Sequence, residues 1–384
     1  MTKRFIPYGH QDIAEEDIQA VVKVLESDWL TQGPDIEEFE RSVATYCGAT
    51  YAVAVSNATA ALHIACLAAG LQEGKQLWTS PNTFVASANC GRYCGAKVDF
   101  VDIDSNTYNL SVTKLEEKLK AGATPDCIIP VHFSGQSCDM EPIYNLCQKY
   151  GVKTIIEDAS HAIGGEYHGG KIGNCRYSDM TVFSFHPVKI VTTGEGGMVL
   201  TNREDLYQSL LRLRSHGITR DAELMTESSH GPWYYQQIEL GYNYRMTDLQ
   251  AVLGCSQMKR IDAFIAKRRE VAERYDQAFS NNRDIITPAQ EKYGLSAWHL
   301  YVIQVPEDKR KEVFLRLREN GIGVNVHYIP VHTQPYYLGL GYNEGDFQQA
   351  EAYYAGAISL PMYYGLTMEE QDFVIEAVKE ALIG

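Results

Sequence analysis

Thr181-Val182-Phe183-Ser184-Phe185-His186-Pro187-Val188-Lys189, followed by Thr193-Gly194-Glu195-Gly196-Gly197 and Met198-Val199-Leu200, reads as strand, tight loop, strand. Apolar and β-branched residues at both ends suit buried strands, and the glycines let backbone approach backbone or ligand. The loop carries Lys189. An ammonium between two buried strands is costly to desolvate, so its pKa falls and the amine becomes a nucleophile. A lysine on a surface loop is the plainer reading, and the sequence upstream bears on the choice.

Upstream stands Thr154-Ile155-Ile156-Glu157-Asp158-Ala159-Ser160-His161, a buried strand running into Asp158 at its carboxyl end. In open α/β sheets ligands bind at the carboxyl ends of strands. A lysine amine together with an aspartate facing a pyridinium nitrogen is the pair that pyridoxal 5'-phosphate (PLP) requires. An aspartate after a strand also reads as a helix N-cap, and one residue can fill both roles.

Outward from this pair, strands and helices alternate. Tyr51–Val55 is a strand, and Ser56-Asn57-Ala58-Thr59 opens a helix. Its unpaired N–H groups and positive dipole end suit a phosphate, while simple capping explains the same residues. Strands follow at Gln76–Ser80, Lys97–Ile103 and Cys127–Phe133, with helices near Leu115–Leu119 and at Met140–Tyr150. Alternation from about residue 51 to 200 predicts an α/β fold with a mostly parallel sheet covered on both faces. Helices are also expected at Ile13–Leu25, Asp35–Cys47, Arg203–Arg214 and Asp248–Met258, the last capped by Thr247. Ser215–Glu239 shows no periodicity. Residues 1–255 are expected to form a large domain with an N-terminal arm, and 256–384 a smaller α+β domain. In the latter the pattern predicts a helix to Phe279, strands at Trp298–Val305 and Val324–Tyr328, and helices at Lys309–Asn320 and Met368–Leu382.

The chain has 384 residues, 45% hydrophobic and 22% charged, as in ordinary soluble globular proteins. No apolar run approaches the ~20 residues of a membrane span, and Met1–Pro7 lacks the apolar core of a signal peptide. A net charge of -15 argues against a nucleic-acid surface. The nine cysteines contain no CxxC pair, which points to free thiols in a reducing cytoplasm. The eleven histidines contain no HExxH, so no metal site is expected. His132 reads as a structural partner.

Glu157-Asp158-Ala159-Ser160-His161-Ala162, Phe183–Lys189 and Gly194-Glu195-Gly196-Gly197 together resemble the DegT/DnrJ/EryC1/StrS family of sugar aminotransferases, PLP enzymes of fold type I. The resemblance runs from Leu30-Thr31-Gln32-Gly33 to Ser359-Leu360-Pro361. It implies that Lys189 and Asp158 are catalytic. It also implies cofactor contacts from Ala58 and Thr59 to the phosphate, Phe84 to the ring face and Ser184 to a phosphate oxygen. His161 stands where many relatives carry Gln and is expected at the phenolic oxygen. Asn243, in Gly241-Tyr242-Asn243-Tyr244-Arg245-Met246-Thr247-Asp248, is expected to reach the PLP phosphate of a neighbouring subunit, giving a homodimer with shared sites. Tyr8, Thr31, Gln32, Arg245, His327, Tyr328 and His332 are the implied substrate contacts.

Within the family, Ser160-His161-Ala162 and Ser184–Lys189 most resemble members of pseudaminic acid biosynthesis. These move an amino group, here expected from glutamate, to C4 of a UDP-linked 4-keto-6-deoxy-N-acetylhexosamine. Another nucleotide-linked 3- or 4-keto sugar, dTDP- or GDP-linked, stays open. A dehydratase of this family carries His in place of Lys189. A non-catalytic regulator of the same fold has no need to keep Lys189, Asp158, Ser184 and Asn243 together. A hydrolase built on Ser184 and His186 lacks the GxSxG elbow.

Overall fold

Asp158 and the Lys189 loop lie on neighbouring strands of one sheet. The computed structural model describes residues 5–383. Seven strands, β1 (Tyr51–Val55), β2 (Gln76–Thr79), β3 (Lys97–Phe100), β4 (Cys127–Ile129), β5 (Thr154–Asp158), β6 (Met180–Ser184) and β7 (Gly197–Thr201), pair in the order β1-β7-β6-β5-β4-β2-β3. All pairings are parallel except the two made by β7. The short loop after β6 returns the chain as a hairpin, so β7 must run against its neighbours. β4 to β7 are buried along their whole length, as their continuous apolar runs require of a sheet covered on both faces.

Register sets the site. Val55 pairs with Gly197 and Gly197 with Ser184, while Asp158 pairs with Val182. The carboxyl ends of β1, β5 and β6 and the start of β7 therefore meet at one edge.

Helices α1 (Glu15–Leu25), α2 (Pro34–Cys47), α3 (Ala58–Ala68), α4 (Ala86–Tyr93), α5 (Val112–Lys120), α6 (Met140–Tyr150), α7 (Glu204–Arg214) and α8 (Asp248–Met258) accompany the sheet. α3 is apolar nearly all round and buried from Ala60 to Cys66. Thr247 caps α8 with a capping box closed by Gln250. α9 (Ile261–Phe279) serves two cores: Ile261, Phe264 and Ile265 pack with Phe39, Phe183 and Met198, whereas Val271, Tyr275 and Phe279 join the C-terminal core. That second core also takes Tyr301 and Ile303 of β8 (Tyr301–Gln304) and Val313 and Leu317 of α10 (Glu307–Glu319). Ile358 and Leu360 of β9 (Ala357–Leu360), Val374 and Val378 of the helix Met368–Ile383, and Ile6 from the arm complete it.

Two local expectations change. Val324–Tyr328 is not a strand; only Asn325 bridges to Ser359, and the chain otherwise runs as an extended cavity wall. Within 215–239 a short pairing joins Ile218–Thr219 to Gln236–Gln237. No described helix is long and apolar enough to cross a membrane.

Candidate active site

A cavity of about 900 Å³ opens where the carboxyl ends of the strands meet, lined by Lys189, Asp158, Ser184, Ala58, Thr59 and Phe84 among others. The Lys189 loop is tied down by its own backbone. Lys189 N–H donates to His186 O at 2.8 Å and Thr193 N–H to Phe185 O at 3.0 Å. Burial lowers the Lys189 amine to about 8 against the opposing pull of Asp158. A useful fraction of neutral amine therefore exists near neutral pH.

Asp158 is 4% exposed. Ser87 Oγ donates to its Oδ2 at 2.6 Å, and Ser160 N–H to its Oδ1 at 3.1 Å. Glu157, the preceding residue, points the other way, as strand alternation dictates. His132 Nε2 meets its Oε2 at 2.6 Å, while His132 Nδ1 accepts the Cys138 N–H at 3.0 Å. This pair is buried behind the sheet and structural.

The first turn of α3 forms a cup. Asn57 caps it by accepting the Ala60 N–H at 2.8 Å, so the N–H groups of Ala58 and Thr59 have no partner within the helix. Beneath them passes Gly197. A Cβ there would lie 2.5 Å from the carbonyl carbon and oxygen of Asn57 and 2.6 Å from the Ala58 nitrogen. Only glycine lets β7 run this close under the helix start. Phe84, 57% exposed although aromatic, stands at the cavity wall.

Asn325, Val326, His327 and Tyr328 form the opposite wall; the His327–Tyr328 peptide is cis. His327 Nδ1 lies 2.7 Å from Ser359 Oγ, and burial with the nearby Lys189 charge lowers its pKa to about 3. His161 accepts the Ser134 N–H at Nδ1 (3.3 Å) and meets Tyr328 Oη with Nε2 (3.1 Å). Burial and Lys189 hold its pKa well below the ordinary range. It is therefore a neutral imidazole with its proton on Nε2, donated to Tyr328. Both His161 nitrogens are engaged, so the hydroxyl of Tyr328, rather than a His161 nitrogen, is left with a proton to donate. Tyr8 lines the same space.

Other expected contacts lie elsewhere. Gln32 and Arg245 line a separate groove beside Glu40 and Arg214. Thr31 is exposed and bridges to Thr247. Asn243 is exposed and bridges to Ser215. None of these four lines the Lys189 cavity of its own chain. His332 corrects the sequence reading: it is wholly buried, its Nε2 lies 2.8 Å from Glu351, and it does not reach the cavity.

Sequence reasoning missed Ser87 and His299. Ser87 had no signal beyond its place just after Phe84. His299 lies in the cavity wall, 3% exposed, with its ring 4.4 Å from that of His161 and its Nδ1 unpartnered. No group of three or more His, Cys, Asp or Glu among the described residues could hold a metal. All nine cysteines are free.

A phosphorylated pyridine aldehyde fits these residues. The α3 cup and the Ser184 hydroxyl suit the phosphate, Phe84 a flat ring face, Asp158 a ring N–H and Lys189 the aldehyde.

The profile described as the DegT/DnrJ/EryC1/StrS aminotransferase family matches residues 11–379. The chain is 43% identical to the spore coat polysaccharide biosynthesis protein SpsC of Bacillus subtilis, over 99% of this chain and 98% of the relative. It is 38% identical to a UDP-4-amino-4,6-dideoxy-N-acetyl-beta-L-altrosamine transaminase of Campylobacter jejuni, over 99% of this chain and 100% of the relative. Among solved structures it resembles Helicobacter pylori PseC, an aminotransferase involved in pseudaminic acid biosynthesis. There the TM-score is 0.90 at 29% identity, over 99% of this chain and 100% of that one.

Proposed function

This chain belongs to the DegT/DnrJ/EryC1/StrS aminotransferase family and is a PLP-dependent sugar aminotransferase, and from that premise we propose its particular reaction. It moves the amino group of L-glutamate to C4 of a UDP-linked 4-keto-6-deoxy-N-acetylhexosamine. The observation that carries the reading is the placement of Lys189 and Asp158 in one cavity beside the α3 cup. The Campylobacter relative, named for a sugar of this class and matched along its whole length, supports the substrate.

PLP, when bound, supplies an electron sink for the bond broken at the substrate carbon. Lys189 would hold the aldehyde at rest, and its amine, lowered to about 8, would carry the proton from the substrate carbon to the cofactor's aldehyde carbon, and the reverse when the keto sugar is aminated. Asp158 holds a proton at the ring nitrogen. The N–H groups of Ala58 and Thr59, with Ser184, bind the phosphate. Phe84 packs on the ring face and keeps water from it. Tyr328, oriented by His161, offers its hydroxyl proton to an oxygen in the cavity.

Asn243 and Arg245 serve the neighbouring subunit of a homodimer; the exposure of Asn243, and the place of both residues outside the Lys189 cavity, support this. Thr31 and Gln32, on the same side as Arg245, are assigned with them to the sugar-nucleotide entrance.

The higher identity to SpsC, whose name specifies a polysaccharide but no nucleotide, favours one rival: another nucleotide-linked keto sugar. The purified protein is incubated with glutamate and a panel of UDP- and dTDP-linked 4-keto sugars, and products are identified by NMR. Turnover of the UDP-linked N-acetylated substrate with amination at C4 is expected. Turnover confined to dTDP-linked sugars, or amination at C3, would sink the substrate reading.

A further inference from the structure

Asp158 ends a directed chain of hydroxyls set in the wall of the same cavity. Ser87 Oγ lies 2.6 Å from Asp158 Oδ2, and Thr83 Oγ1 lies 2.7 Å from Ser87 Oγ. Thr83, Ser87 and Asp158 are 2%, 1% and 4% exposed, so water does not compete for these groups. An ionised carboxylate only accepts hydrogen bonds. The single Ser87 proton is therefore committed to Oδ2, at a distance typical of a charge-assisted O–H···O⁻ bond. Its other acceptor, Phe84 O, lies at 3.4 Å and makes the weaker contact. With the Ser87 proton spoken for, Thr83 must be the donor in the Thr83–Ser87 contact. The relay runs one way, from Thr83 through Ser87 to Asp158. The Ser160 N–H fixes the other oxygen at 3.1 Å.

We infer that Ser87 is a positioning residue that keeps the proton shared by Asp158 and the cofactor's ring nitrogen on the nitrogen. The inference rests on the role given to Asp158 above. A donor to the charged form of a carboxylate favours that form. Without the Ser87 hydroxyl, Oδ2 becomes the stronger base and the proton moves from the ring nitrogen to Asp158. Both groups are then neutral, and the ring loses the positive charge that draws electrons from the substrate carbon. The stretch Thr83–Ser87 thus supplies both the aromatic wall, through Phe84, and the relay to Asp158.

The experiment loads the protein with PLP labelled with ¹⁵N at the ring nitrogen and records the ¹⁵N resonance of the substrate-free holoenzyme near neutral pH. Wild type should resonate at the protonated position. Ser87→Ala should move toward the unprotonated position, with the glutamate half-reaction slowed about tenfold, the effect of losing one hydrogen bond to a charged group. Ser87→Thr, which keeps the hydroxyl, should restore both. Thr83→Val should shift the resonance the same way by less.

If Ser87→Ala fails to hold the cofactor, Thr83→Val against Ser87→Thr carries the test. A shift in the first and not the second supports the relay, and equal wild-type resonances overturn it. A wild-type resonance in loaded Ser87→Ala also overturns it while leaving Asp158 its role. An unprotonated nitrogen in wild type overturns the Asp158 reading itself. Neither result depends on which sugar is the substrate, since no sugar is present.

Discussion

Replacing Lys189 by Met in the cofactor-free protein should remove a cost that varies with pH in one direction only. Burial takes the Lys189 amine from its ordinary 10.5 to about 8. At about 1.4 kcal/mol for each pKa unit, the folded state carries a penalty of about 3 kcal/mol whenever the lysine is protonated in both states. Below pH 8 both folded and unfolded chains hold the proton and the full penalty applies. Between 8 and 10.5 the folded chain has released its proton while the unfolded chain keeps it, so stability rises with pH. Above that range both are neutral and the gain levels off. From pH 7 to 9.5 the recoverable part is roughly 2 kcal/mol. For a chain of 384 residues that is roughly 2–3 °C in Tm. Thermal unfolding of wild type and Lys189→Met, both stripped of PLP, reads the gap across this interval. His161 and His327 also feel the Lys189 charge, but both are held below this interval, and groups away from the cavity cancel in the difference. Wild type should gain on the variant as pH rises. A constant gap, or a variant that gains on wild type, would refute the claim that burial makes this amine a nucleophile.

Asp158→Asn should fold and bind PLP yet lose several kcal/mol of transition-state stabilisation, a fall of at least about a hundredfold in kcat; steady-state activity within about threefold of wild type would leave Asp158 a cap only. Gly197→Ala should push its Cβ against Asn57 and Ala58 and cost about 1–3 kcal/mol, read as a PLP Kd weaker by about fivefold or more in a fluorescence titration; an unchanged Kd would mean the α3 cup does not bind phosphate. Mixing Lys189→Ala with Asn243→Ala subunits should restore activity at the one site per mixed dimer that carries neither defect. With Asn243→Ala shown impaired alone and subunit exchange verified by mass spectrometry, no recovery would place Asn243 in its own subunit's chemistry.

The sheet was legible because its central strands are continuous apolar runs closed by glycine or by a polar residue, as at Ile155–Asp158 and Val182–Ser184. Lys189 and Asp158 stood out because charged residues at such ends need a reason. The wall 324–328 misled because Val324-Asn325-Val326 satisfies a period of two, yet a strand also needs a partner edge, and only Ser359 supplies one bridge. His327 and His332 sit in one aromatic segment. One faces the cavity and the other packs against Glu351, and loop sequence does not encode that difference in direction. Ser87 was invisible for a similar reason: its partner lies across the fold on β5. Thr31, Gln32 and Arg245 are grouped with the cavity by resemblance, and the fold of one chain separates them from it; Asn243, expected at a neighbour's site, lies outside the cavity of its own chain.

The central claim is that Lys189 is the amine that bonds the cofactor. Borohydride reduction of the PLP-loaded protein, followed by proteolysis and peptide mass mapping, tests it directly. The account predicts the added mass of the reduced cofactor on the peptide bearing Lys189. The same mass on another lysine, or on none, would contradict it.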